Sequence, residues 1–184
     1  MMFETYREAY PARSPNLQYK KYDDELIEIA GCYFVLDTTF VHACYAELVV
    51  PLDELEGKKL PDTKKFLWVV TPDDVKYAHE KSELAQSHCK RGRLAHTNIT
   101  GGKEAHSGGQ LAFLKHIEDS NPAIVLDGDS SRYSPRSEEE LNDIATCFSK
   151  TGFDIYSLGW NEEEARSEYV YRSAQVKIVK SQSK

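Results

Sequence analysis

Residues 96–113 read HTNITGGKEAHSGGQLAF, and the reading of this stretch decides the fold. Four glycines fall within nine residues, at Gly101, Gly102, Gly108 and Gly109. Each costs a helix about 1 kcal/mol against alanine, which argues against a helix here. Paired glycines instead permit positive φ and close approach of the backbone to a ligand or another strand. The stretch therefore reads as strand, tight turn, strand, with His96 on the first strand and Gln110 to Leu114 in the second.

Outward from this stretch, other segments read as strands too. Phe66–Val70 (FLWVV) and Ala123–Leu126 (AIVL) are short apolar runs of the kind that form buried strands. Phe153–Trp160 and Glu168–Val179 follow, joined by an acidic turn at 161–164. Upstream, Glu25–Leu36 reads as a strand pair kinked at Gly31. Phe40–Leu52 reads as a strand stopped by Pro51, with His42 a core histidine. Thr71-Pro72-Asp73-Asp74 admits two readings, the start of a helix running to Ala85 or a hairpin turn. Ser137–Thr151 is the clearest helix. Ser137 and Glu140 form a capping box, Leu141, Ile144, Ala145 and Phe148 share a face, and Gly152 supplies the stop.

Residues 1–23, rich in Tyr, Pro and charge, read as an irregular arm in which Tyr6, Tyr10, Tyr19 and Tyr22 can pack. Residues 24–180 read as a single α+β domain, a mainly antiparallel sheet with one or two helices packed on it.

The chain has 184 residues, 40% hydrophobic and 29% charged, as expected for a globular protein with a real core. Its net charge of −7 disfavours extended nucleic acid and anionic membranes as partners. The charge is uneven, however. Between Gln86 and His116 five cations (Lys90, Arg91, Arg93, Lys103 and Lys115) face one acid, Glu104. A positive patch in an acidic protein points to a small anionic ligand. Cys32, Cys44, Cys89 and Cys147 are scattered, with no metal-type spacing, and fit reduced thiols in the cytoplasm. No signal peptide or membrane-length apolar run is visible.

The order of motifs resembles a domain of the plant IQ-motif-containing calmodulin-binding family and its bacterial and fungal relatives. The resemblance is carried by Phe66–Val70, Lys90-Arg91-Gly92-Arg93, His96-Thr97-Asn98, Gly101-Gly102 and Gly108-Gly109-Gln110-Leu111. It continues through Ile124-Val125-Leu126 and Ser131-Arg132-Tyr133-Ser134-Pro135 to Ser137-Glu138-Glu139, and follows the family spacing from Arg91 to Phe153. An insertion is needed between Val70 and Lys90. Two motifs depart from the pattern: His-Ser-Ser is His-Thr-Asn here, and Ser-Gly-His-Tyr is Ser-Ser-Arg-Tyr, which moves any role of that histidine to Arg132. No IQ consensus occurs, so calmodulin binding is not implied. The resemblance implies a shared fold and pocket, and it supplies no reaction.

These patterns nominate His96, Tyr133 and His106 as candidate catalytic residues. Arg93, Thr97, Asn98, Gly101, Gly102, Gly108, Gly109, Gln110 and Arg132 are the candidate ligand contacts, with no metal and no cofactor. Two imidazoles with a nearby lysine and tyrosine suit acid–base work on a phosphodiester, an arrangement distantly similar to EndoU-like ribonucleases. A histidine with a downstream tyrosine is also similar to the ADP-ribosyltransferase fold. The expected ligand is a nucleotide or another phosphate-bearing compound held by backbone N–H groups and arginine. The competing reading is a non-enzymatic acidic module for a protein partner, such as an immunity or antidote protein.

Overall fold

The computed structural model describes residues 1–36, 48–115 and 117–182. His42, Cys44 and most of the strand read over 40–52 lie outside the described residues. The chain begins with a short helix, α1 (Phe3–Ala9), where the sequence reads as irregular. Seven residues are too few for periodicity to register, and the helix is held by what it packs on. Tyr6 is fully buried, and Phe3 meets Phe148 edge to face at 5.5 Å.

A 3-10 turn at Asp23–Leu26 and a two-residue edge strand β1 (Phe34–Val35) replace the expected strand pair. Gly31 lies between them with φ of 77°. β2 (Phe66–Val70) is buried along its whole length, because both faces of the sheet are covered there. Thr71–Asp74 is the hairpin turn into β3 (Val75–His79). Its Thr71 hydroxyl accepts from the Asp74 N–H at 3.0 Å and donates to the Asp74 carbonyl at 2.9 Å. Helix α2 is confined to Glu83–His88, capped by Ser82.

The decisive stretch holds one strand. His96–Thr100 forms a short helix, α3, and Gly101 ends it in the left-handed conformation at φ of 65°. Gly101-Gly102 is thus a helix stop, where a turn between strands is expected. β4 (Ser107–Phe113) follows, then β5 (Ala123–Asp127). Helix α4 (Glu138–Ser149) is capped by Ser137, which accepts from the Glu140 N–H. Glu140 does not complete the capping box. Its carboxylate turns to the Arg136 N–H and guanidinium and to the Tyr6 hydroxyl. The chain ends in β6 (Asp154–Ser157), the small hairpin β7 (Trp160–Asn161) with β8 (Arg166–Ser167), and β9 (Lys177–Val179).

Among the described residues seven strands form one sheet in the order β1-β3-β2-β4-β5-β6-β9. Only the β5–β6 pair is parallel, crossed over by α4, so the class is α+β with a mainly antiparallel sheet. No described helix is long and apolar enough to cross a membrane.

Side chains alternate across the sheet and create two different faces. Phe66, Trp68, Val70, Leu111, Phe113 and Leu126 meet α1 and α4 through Tyr6, Leu141, Ile144 and Phe148. On the other face Leu67, Val69 and Ala78 pack under α2, α3 and the segment between them through Ala85, Ile99 and Leu94. Further along, Ala112, Val125 and Leu158 pack with Val50, Leu55 and Tyr171. These two apolar clusters on the second face are separate, and the gap between them is where the site forms.

Candidate functional site

Leu67 on β2 and Gln110 on β4 are paired across the sheet and floor a depression of about 460 Å³. The segment Arg91–His96 walls one side, and the loop at Asp129–Arg132 walls a second. Lys59, Lys65 and Tyr169 close the rest. Gln110 breaks the apolar pattern of β4 because its side chain faces this opening, where its amide reaches Asp129 at 3.4 Å.

The two glycines of β4 leave room for one ring each. A Cβ on Gly109 would stand 2.1 Å from the Asp127 carbonyl oxygen and 2.6 Å from the Trp68 indole. That indole donates to the carbonyls of Gln110 and Asp127 at 3.1 and 3.0 Å. A Cβ on Gly108 would come within 3.0 Å of the His96 ring on the opposite face. Close approach of neighbouring backbone and of these two rings, more than positive φ, is what requires glycine here.

His96 is 5% exposed, and its Nε2–H donates to the Gly109 carbonyl at 2.9 Å. That bond leaves Nδ1 as an acceptor facing the Ser130 hydroxyl at 3.3 Å. Burial pushes the imidazole pKa down to about 4, and the positive charges of Arg132, Arg91 and Lys65 add to the shift. His96 is therefore neutral at neutral pH, with a defined tautomer.

Five cations line the depression (Lys59, Lys65, Arg91, Arg93 and Arg132) against three acids, Asp62, Glu80 and Asp129. Two buried carboxylates organise them. Glu80 faces Lys65 at 3.1 Å and Arg93 at 3.8 Å. Glu25 binds the Arg132 guanidinium and lies 3.5 Å from Arg91. Arg93 is the most loosely held of these, with 42% of its side chain exposed. Lys59 sits over the Tyr169 ring at 4.6 Å.

Of the residues nominated by sequence, His96, Arg93, Gln110 and Arg132 meet in this depression, with Gly108 and Gly109 immediately behind His96. The others lie elsewhere. Tyr133 is fully buried, donates to the Lys103 carbonyl at 2.7 Å and accepts from the Thr100 hydroxyl at 2.9 Å. It pins its loop over α3 and does not share open space with His96. His106 donates through Nδ1 to the Tyr10 carbonyl at 2.6 Å and packs near Tyr6, so the two imidazoles do not converge. Thr97 is fully buried. Asn98 latches α3 to the 3-10 turn: its Oδ1 accepts from the Ala95 N–H, and its Nδ2 donates to the Asp24 and Ile27 carbonyls. Gly101 and Gly102 lie against Glu28 and Leu26, away from the depression.

Lys59, Asp62, Lys65, Glu80, Asp129, Ser130 and Tyr169 were not legible as site residues. Only the inward-facing polar Gln110 on an apolar strand signalled where the floor would be. Among the described residues no group of three or more His, Cys, Asp or Glu side chains could hold a metal ion. Comparison of the chain with protein-family models, with curated proteins and with solved structures finds no match, so the functional reading rests on this geometry.

Proposed function

We propose that the depression over Leu67 and Gln110 binds a small phosphate-bearing anion. The observation that carries this reading is the five-cation lining in a chain whose net charge is −7. Cations concentrated in a concave site of an otherwise acidic protein raise the local concentration of a small anion and repel long polyanions elsewhere on the surface. Neutral His96 and the Ser130 hydroxyl are bonded to each other and to the backbone at the inner end, so they shape the wall without adding charge. Arg93, only loosely held by Glu80, is free to turn a guanidinium edge to a phosphate oxygen.

The test is thermal denaturation in the presence of inorganic phosphate, pyrophosphate and sugar phosphates at constant ionic strength. A bound anion raises the melting temperature with the logarithm of one plus its concentration over Kd. Arg93→Ala should abolish that rise while leaving the ligand-free melting temperature within about a degree or two, since the residue is partly exposed. A flat response of the native protein across the panel overturns the reading.

A further inference from the structure

A second depression, of about 580 Å³, lies on the far side of Arg91 and Arg93. It shares Arg91, Arg93 and Ser131 with the first, so the two are continuous across an arginine ridge. Its outer wall carries Tyr19 and Tyr22, which are 65% and 40% exposed. Neither ring stacks on another ring or on a cation among the described residues.

The backbone at Tyr22 is held by the same carboxylate that binds Arg132. Glu25 accepts from the backbone N–H groups of Lys21 and Tyr22 at 3.2 Å each, while its other oxygen binds Arg132. Lys20 N–H donates to the Leu17 carbonyl, and Gln18 N–H to the Asn16 side chain, which closes the segment into a tight turn. The backbone thus carries two exposed tyrosines beside a cluster of guanidinium groups. The remaining lining, Lys21, Lys81 and Glu25, is polar and suits a ring with hydrogen-bonding edges better than a hydrocarbon.

We infer that the ligand is a nucleoside diphosphate or a related nucleotide spanning both depressions, its phosphates on the His96 side and its base against Tyr19 and Tyr22. The inference rests on the anion-binding reading of the first depression. Base stacking on tyrosine tolerates every base because each has a π-face, and alanine substitution at such platforms costs roughly tenfold or more in affinity.

The experiment is titration calorimetry of the whole chain with ADP, GDP, CDP and UDP against pyrophosphate. At least one nucleotide is expected to bind about tenfold or more tighter than pyrophosphate. The Tyr19→Ala, Tyr22→Ala double variant should lower that nucleotide to the pyrophosphate level and leave pyrophosphate binding unchanged. Tyr19→Phe with Tyr22→Phe, which keeps the rings, should retain it, and this pair guards against a fold defect in the alanine variant. Equal affinity for pyrophosphate and all four nucleotides, or a nucleotide preference that survives the alanine pair, overturns the inference while leaving the anion pocket standing. Failure of both pyrophosphate and the nucleotides to bind overturns the two readings together.

Discussion

The His96 imidazole donates to the carbonyl of Gly109 at 2.9 Å, lying across the bare Cα of Gly108. This one contact joins α3 to the central strand β4 and sets the tautomer that faces Ser130. It also makes His96 a reporter of the site's electrostatics, because the ring is buried among Arg132, Arg91 and Lys65.

A pH dependence follows. Folded His96 titrates at about 4, against the ordinary 6.5, so between those values the folded state binds fewer protons than the unfolded state. Stability present above pH 6.5 is therefore lost as pH falls toward 4, on the order of 3 kcal/mol from this residue alone. Urea denaturation at steps across that window should show the decline. His96→Gln should flatten it, and an unchanged slope in that variant would assign the decline to other groups.

Gly109→Ala should be among the most damaging single-methyl additions in the chain, because the new Cβ would overlap the Asp127 carbonyl and the Trp68 indole. A loss of about 3 kcal/mol or more is expected. Gly108→Ala meets a ring edge at 3.0 Å and should cost less while displacing His96. Chemical denaturation of the two variants, read by the fluorescence of Trp68 and Trp160 together, checks the order.

Tyr6→Phe removes a 2.7 Å hydrogen bond to the buried Glu140 carboxylate and keeps the ring packing. The expected cost is about 2 kcal/mol, in the range for a bond to a charged group. A variant as stable as the native chain would show that the Arg136 pairing alone satisfies Glu140.

The adjacent residues Thr97 and Asn98 should respond in opposite directions. The Thr97 hydroxyl is buried without a hydrogen-bond partner among the described residues, so Thr97→Val should be neutral or stabilise by about 1 kcal/mol. Asn98→Ala breaks three hydrogen bonds that tie α3 to residues 24–27 and should cost roughly 2–3 kcal/mol. Thermal melts of both variants decide it.

What the sequence made legible was local. Phe66–Val70 and the Ser137-capped helix announce themselves through unbroken apolar character and through a cap with helical periodicity. α1 and α3 do not, because a helix of five to seven residues draws its stability from partners distant in sequence. His96-Thr97-Asn98 therefore read as strand, although Asn98 is the residue that latches the helix to the 3-10 turn. The candidate site divided in the same way. Arg93, His96 and Gln110 were legible because they lie in or beside one stretch, and Arg132 through the motif resemblance at 131–135. Lys59, Lys65, Glu80 and Tyr169 reach the depression only through sheet register and the gap between two apolar clusters. Tyr133 and His106 have the residue types of catalysis but serve to anchor the backbone.

The depression takes its walls from positions as far apart as Lys59 and Tyr169, and its neighbour's tyrosines from positions 19 and 22. The surface that meets a ligand is therefore built from segments distant in the sequence, and it is complete only in the folded chain. A ligand bound there would act as a brake on one limb of the kinetics alone. Unfolding would slow as ligand concentration rises, while the refolding rate would stay that of the bare chain.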